Sequence, residues 1–217
     1  MKFKEMNTPN KLTTIRMFCV PLVLIVFVLY TLANRCGLKT DYVLFRNGNN
    51  YLTINQIIIA ILFAFASITD FIDGHMARRL NIVTDYGKIM DPLADKLLVN
   101  TTLISLMAFG FFTKERDVSS YLMYIQLVSC ILAIITIARD LFVDALRMQA
   151  LKKGVVVPAM IWGKLKTATL MPGILILLFG TTNNIVYLIG LIFVFLGGLF
   201  ALISGVMYFK AMKQYID

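Results

Sequence analysis

Residues 70–95 read DFIDGHMARRLNIVTDYGKIMDPLAD. Four aspartates in that stretch, Asp70, Asp73, Asp91 and Asp95, stand beside long apolar runs. Ionisable groups at membrane depth are costly and mark a functional site by default. At about 100° per residue, Asp70, Asp73, Gly74 and Ala77 share one helix face, with Arg78 on its shoulder. Gly87, Asp91 and Asp95 recur every four residues and make one face of a second helix. If the two helices pack side by side, four carboxylates converge and repel one another strongly in a low dielectric. A positive partner belongs between them, and hard divalent cations held by oxygen ligands suit the place. A single aspartate near a helix end reads as a solvated carboxylate; four at these spacings, mixed with Gly and Ala, do not.

The surrounding chain sets that stretch in a membrane. Of its 217 residues 59% are hydrophobic, against about half for a soluble domain. Six apolar spans, roughly residues 12–33, 54–79, 88–112, 119–147, 165–181 and 185–209, suffice to cross ~30 Å of hydrocarbon. Runs of this length in lipid are helical. The expected architecture is an all-α integral membrane protein. It has one domain over residues 1–217, six transmembrane helices, and residues 1–10 as a short interfacial segment. No internal repeat, low-complexity linker or cleavable signal peptide is visible.

A net charge of +9 invites a nucleic-acid reading, but its distribution argues for a membrane surface. With the N-terminus inside, 16 of the 21 basic residues fall on the cytoplasmic side, leaving Arg35, Lys39, Arg46, Lys114 and Arg116 outside. That bias places both termini and the acidic stretch in the cytoplasm of a multi-pass cell-membrane protein. Cys19, Cys36 and Cys130 are too scattered for a disulfide framework. His75, with no second His or Cys nearby, does not make a zinc site.

Elsewhere the signals are local. Pro9-Asn10 breaks the N-terminal segment, and Asn10 or Thr13 can cap the first span. Pro21 is expected to kink that span, and Arg16 to snorkel to headgroups. Loop 34–53 is polar and carries no chemistry. Thr84 can cap the third span or touch a phosphate or sugar. Pro92 is tolerable within the first turn or so of that span, and Lys96 can pair with a neighbouring carboxylate. In the fourth span Arg139 and Asp140 cannot pair face to face, whereas Asp140 or Asp144 with Arg147 can. The alternative is that the arginines bind an anion through their planar forks. Trp162 suits an interfacial anchor, and Lys164 and Lys166 can simply mark the cytoplasmic edge. Gly173, Gly180, Gly197, Gly198 and Gly205 permit close helix packing in the last two spans. The sixth span itself shows no chemistry.

The acidic stretch can be written as Asp70, two residues, Asp73-Gly74, two residues, Ala77-Arg78, eight residues, Gly87, three residues, Asp91, three residues, Asp95. It resembles the signature of the CDP-alcohol phosphotransferase family at every fixed position. Three further pieces resemble the branch of that family whose acceptor is sn-glycerol 3-phosphate: Pro9-Asn10-Lys11-Leu12-Thr13 with Arg16, Ala138-Arg139-Asp140 with Ala145-Leu146-Arg147, and Gly163-Lys164-Leu165-Lys166-Thr167. Asp140 stands where that branch more often has Glu.

The resemblance implies that Asp70, Asp73, Asp91 and Asp95 bind a pair of divalent ions, Mg2+ or Mn2+, and that Asp95 is the general base. It implies that Asn10, Thr13, Gly74, Ala77, Arg78, Thr84 and Gly87 hold CDP-diacylglycerol, and that Arg139, Arg147 and Lys164 hold the phosphate of the acceptor. The partners it implies are these two substrates and membrane lipids, with no nucleic acid; a homodimer is expected from size. A cardiolipin or phosphatidylinositol phosphate synthase would share the acidic signature. Intramembrane prenyltransferases also combine aspartates, magnesium and diphosphate, but lack the Asp-Gly-x-x-Ala-Arg step. A cation transporter predicts carboxylates spread over midplane helices and inverted repeats, where here they bunch at one edge.

Overall fold

A computed structural model of the protein describes residues 8–36, 42–47, 50–80, 85–108, 120–155, 160–180 and 183–213. Six helices run through them: α1 (Thr8–Arg35), α2 (Ile54–Leu80), α3 (Asp85–Ala108), α4 (Ser120–Lys152), α5 (Ile161–Phe179) and α6 (Asn184–Met212). Each coincides with one expected apolar span. Among the described residues, three segments are long and apolar enough to cross a membrane: Lys11–Tyr30, Ile161–Phe179 and Asn184–Met212. Ile54–Thr69 of α2 is a shorter apolar segment. Large apolar side chains such as Phe18 and Leu29 on α1, Leu141 on α4 and Val206 on α6 are exposed, as lipid-facing positions should be.

The helices fall into two compact units, residues 1–109 with 181–183, and residues 110–180 with 184–217. In the first unit α1 packs on both α2 and α3, and α2 touches α3. Its core is apolar: Val23, Phe27, Ile59, Phe63, Leu98 and Leu103 are fully buried or nearly so. The buried hydroxyls of Thr69 and Thr102 donate back to the carbonyls of Ala66 and Leu98 at 2.8 Å, which satisfies them inside their own helices.

The start of α1 departs from expectation. The backbone is already helical at Thr8, so Asn10 and Thr13 lie within α1 rather than at its N-cap; residues 1–7 lie outside the described residues. The helix continues past Pro21. Loop 34–53 contains an antiparallel hairpin, β1 (Val43–Asn47) and β2 (Asn50–Thr53), with Asn47 opposite Asn50 and an irregularity between Val43 and Phe45. Gly48 and Asn49, which separate the strands, are residue types suited to a two-residue hairpin connection. β2 feeds directly into a capping box on α2. The Thr53 amide donates to Gln56 Oε1 at 2.8 Å, and the Gln56 amide donates to Thr53 Oγ1 at 3.4 Å, which occupies N–H groups that a helix start leaves unmet. Pro92 lies within α3, about two turns from Asp85.

In the second unit α6 packs on α5 and on α4. Glycines set the distance. A Cβ on Gly197 would stand 2.6 Å from Leu170 Cγ, one on Gly198 2.5 Å from Leu132 Cβ, and one on Gly173 2.9 Å from Phe193 Cβ. The small residues therefore permit close packing as expected, and Gly190, 2.9 Å from Leu177 Cγ on the same basis, belongs with them. Trp162 packs its ring 5.9 Å from that of Phe200. α4 ends where Gly154 takes a positive φ of 76° and Val155 donates back to the Ala150 carbonyl at 2.9 Å, a bond of the Schellman type.

Candidate functional site

The acidic stretch belongs to the first unit. The backbone is helical through Asp70, Asp73, Gly74, Ala77 and Arg78 on α2 and through Gly87, Asp91 and Asp95 on α3, so the helical spacing inferred from the sequence applies to both segments. The side chains of Asn10, Asp70, Asp73, His75, Ala77 and Arg78 lie outside the described residues, as do Gly74 and Gly87 beyond their helical backbone and Thr84 altogether. Asp91 and Asp95 are half-buried, one turn apart on α3. The hydroxyl of Thr13, buried on α1, donates to Asp91 Oδ1. That contact fixes one carboxylate and joins segments 78 residues apart.

Arg16 corrects another expectation. It does not snorkel: the side chain is completely buried, and Nε donates to the Ala66 carbonyl of α2 at 3.3 Å. It sits one turn after Thr13, so α1 turns a hydroxyl and a cation into the packed interior rather than towards headgroups. Two half-buried carboxylates one turn apart, one of them oriented by a hydroxyl, supply the oxygen donors that a hard divalent ion takes. The donor chemistry fits such an ion. Two carboxylates do not complete its usual six or more ligands, and among the described residues no three His, Cys, Asp or Glu side chains come together.

The second unit holds a basic cluster. Asp140, on α4 and 2% exposed, accepts from Lys166 Nζ at 2.8 and 2.7 Å, one bond to each oxygen. It also accepts from Arg139 Nη1 at 2.9 Å. This overturns two expectations: Arg139 does pair with its sequence neighbour, and Asp140 pairs with Lys166 and Arg139 rather than with Arg147. Adjacent helix positions point ~100° apart, but the arginine side chain is long enough to fold round.

Arg139 Nη2 also donates to Ser204 Oγ, and Arg147 Nη2 donates to the Tyr208 hydroxyl. The Tyr208 oxygen further accepts from the Met160 amide at 2.9 Å. The two guanidinium carbons lie 5.4 Å (Arg139) and 5.0 Å (Arg147) from the centre of the one Tyr208 ring, within cation–π range. α6, expected to be without chemistry, thus contributes Ser204 and Tyr208. Gly163 lies beside this group: a Cβ there would stand 3.6 Å from Ser204 Oγ and 3.7 Å from Arg139 Nη2, in ordinary van der Waals contact. Lys164 is exposed on the first turn of α5, and among the described residues no bond ties its side chain to the two arginines. Two guanidiniums over one ring repel in a poorly screened setting, and planar forks so placed suit a phosphate.

Residues 6–196 match the sequence model of the CDP-alcohol phosphatidyltransferase family. The chain belongs to that family. Among relatives, it is 35% identical to the CDP-diacylglycerol--glycerol-3-phosphate 3-phosphatidyltransferase of Rickettsia bellii over 99% of both chains. It is 36% identical to the protein of that name in Bacillus subtilis, over 74% of this chain and 70% of the other. With the one in Mycoplasma pneumoniae it shares 34% over 81% and 69% respectively. As a member of this phosphatidyltransferase family the protein is an enzyme of the membrane, and the two clusters are where its chemistry should be sought. Sequence reasoning missed Lys166 as Asp140's main partner, and Ser204 and Tyr208 as supports of the arginines. A hydroxyl every fourth residue on α6, at 204 and 208, was the signal that could have found the last two.

Proposed function

We propose that the protein is a phosphatidylglycerophosphate synthase, transferring the phosphatidyl group of CDP-diacylglycerol to sn-glycerol 3-phosphate with release of CMP. The names of relatives that align along nearly its whole length support the donor and the acceptor. The observation that carries the acceptor is the paired guanidinium groups of Arg139 and Arg147 over Tyr208. Asp140 takes up Lys166 with both its oxygens and Arg139 through Nη1 only, so among the described residues of this cluster the Arg147 fork and the rest of the Arg139 fork are suited to a phosphate ester, with the exposed Lys164 as a further cation.

The acceptor's phosphate rests on Arg139, Arg147 and Lys164. Its primary hydroxyl oxygen attacks the β-phosphorus, the one esterified to diacylglycerol. The bond from that phosphorus to the oxygen of the CMP phosphate breaks, and CMP leaves. The hydroxyl proton passes to the Asp95 carboxylate, a general-base role. Asn10, Thr13, Gly74, Ala77, Arg78, Thr84 and Gly87 hold the CDP moiety, and Thr13 does so while orienting Asp91. Asp70, Asp73, Asp91 and Asp95 hold the divalent ions, a pair of Mg2+ or Mn2+, whose chemistry is to neutralise the diphosphate charge. Positive-inside charge supports six membrane crossings, cytoplasmic termini and a cytoplasmic site. Residues 1–217 act as one catalytic domain, and the working form is a homodimer.

The test offers glycerol phosphate, inositol phosphate, serine and phosphatidylglycerol in parallel to the purified enzyme with CDP-diacylglycerol, following CMP release. Turnover with glycerol phosphate alone is expected, and turnover with another acceptor only would overturn the assignment. Chelation should abolish the reaction and weaken CDP binding by calorimetry, with Mg2+ or Mn2+ restoring both; metal-independent turnover would remove the ion site.

A further inference from the structure

We propose that Tyr208 is a positioning residue for the acceptor's phosphate, a role that rests on the reading of Arg139 and Arg147 given above. Three observations converge on this one side chain. It is 2% exposed, so its ring and hydroxyl are fixed by packing in the cluster of Val143, Leu146, Ala150 and Met212. Its ring lies under both guanidinium groups. Its oxygen accepts from Arg147 on one side and from the Met160 amide, just before α5, on the other. One residue of α6 thereby ties Arg147 of α4 to the start of α5 and holds two like charges near each other.

Arginine side chains are long and lose much rotamer freedom when ordered. Two that must grip one phosphate bind it more tightly if that ordering is complete before the ligand arrives. Arg139 has an independent anchor in Asp140 and Ser204. Arg147 depends on the tyrosine oxygen, so loss of the hydroxyl should act chiefly through Arg147. The effect should fall on acceptor binding, because the donor's groups lie on other helices. Tyr208 need not touch the substrate to do this.

The experiment is steady-state kinetics on the full-length enzyme in detergent, with Tyr208→Phe and Tyr208→Leu. The phenylalanine keeps the ring and removes the oxygen. It is expected to raise KM for glycerol phosphate about tenfold, as loss of a hydrogen bond to a charged group does, while kcat and KM for CDP-diacylglycerol stay within about twofold. Tyr208→Leu removes the ring as well and should raise the same KM roughly tenfold further. In an Arg147→Ala background the cost of Tyr208→Phe should shrink below about twofold, as expected for residues acting through one another. A full tenfold cost in that background overturns the proposal. So does a fall in kcat together with a rise in both KM values in either variant, which is the signature of a merely structural role. Inorganic phosphate, as a competitor of the acceptor, separates this inference from the identity of the acceptor. Its inhibition constant should rise about tenfold in Tyr208→Phe whichever phosphorylated acceptor the wild type uses. Failure of the wild type to use glycerol phosphate, with that rise intact, removes the acceptor assignment and keeps Tyr208. An unchanged inhibition constant removes Tyr208.

Discussion

The two charged regions of this protein are built on opposite plans. On α2 and α3 the aspartates follow one another at three- and four-residue steps, so one helix alone aligns its own pair. In the second unit most of the contacts in the charged cluster are long-range, the pair of sequence neighbours Arg139 and Asp140 apart. Asp140 meets Lys166, Arg139 meets Ser204 and Arg147 meets Tyr208 across sequence separations of 26, 65 and 61. An acidic ion site needs converging oxygens and can draw them from helical periodicity. A basic anion site must hold long, mutually repelling side chains apart from their neighbours and in place, which takes partners from other helices. Charge in the second region is already partly matched by the protein.

That contrast can be broken in three places. The largest effect is expected at Asp95, where Asp95→Asn should lower kcat about a thousandfold, within the range for a lost general base, with an unchanged melting temperature. Near-normal turnover would remove Asp95 as the base. The next effect concerns stability rather than rate. Lys166→Met leaves Asp140 buried without its main partner and should cost about 3–5 kcal/mol of unfolding free energy. The double change Lys166→Met with Asp140→Leu should recover most of it in the same denaturation series. If the double variant is no better than the single one, the pair is not the matched unit described above. The smallest effect is at Thr13→Val, which removes the hydroxyl from Asp91. It should cost about 1.5–3 kcal/mol divided between folding and ion affinity, seen as a several-fold weaker Mg2+ dependence of activity. No change in that dependence would mean that Asp91 orients itself.

Legibility in the sequence follows the same division. The six helices of the described residues were readable because long apolar runs have few alternatives to a helix. The capping box Thr53-Ile54-Asn55-Gln56 and the hairpin signal at Asn47-Gly48-Asn49-Asn50 were also there to be read, since both are local. Arg16 was misjudged because an arginine near a helix end can snorkel or turn inward, and only a neighbouring carbonyl, here that of Ala66, decides between them. The pairing of Asp140 was misjudged because helical neighbours were the only candidates a linear reading could weigh.

The amino-acid order alone determined the membrane class, the helix count and the signature Asp70 to Asp95, because these depend on composition and on the fixed period of one helix. Only the folded chain decided which cations meet Asp140 and which lie over the Tyr208 ring. Asp140 could have taken Arg147, and Tyr208 could have been plain core. Packing α6 against α4 and α5 through Gly197, Gly198 and Gly205 brings those side chains within bonding distance, and pairing between long charged side chains is set by distance in space, not by separation along the chain.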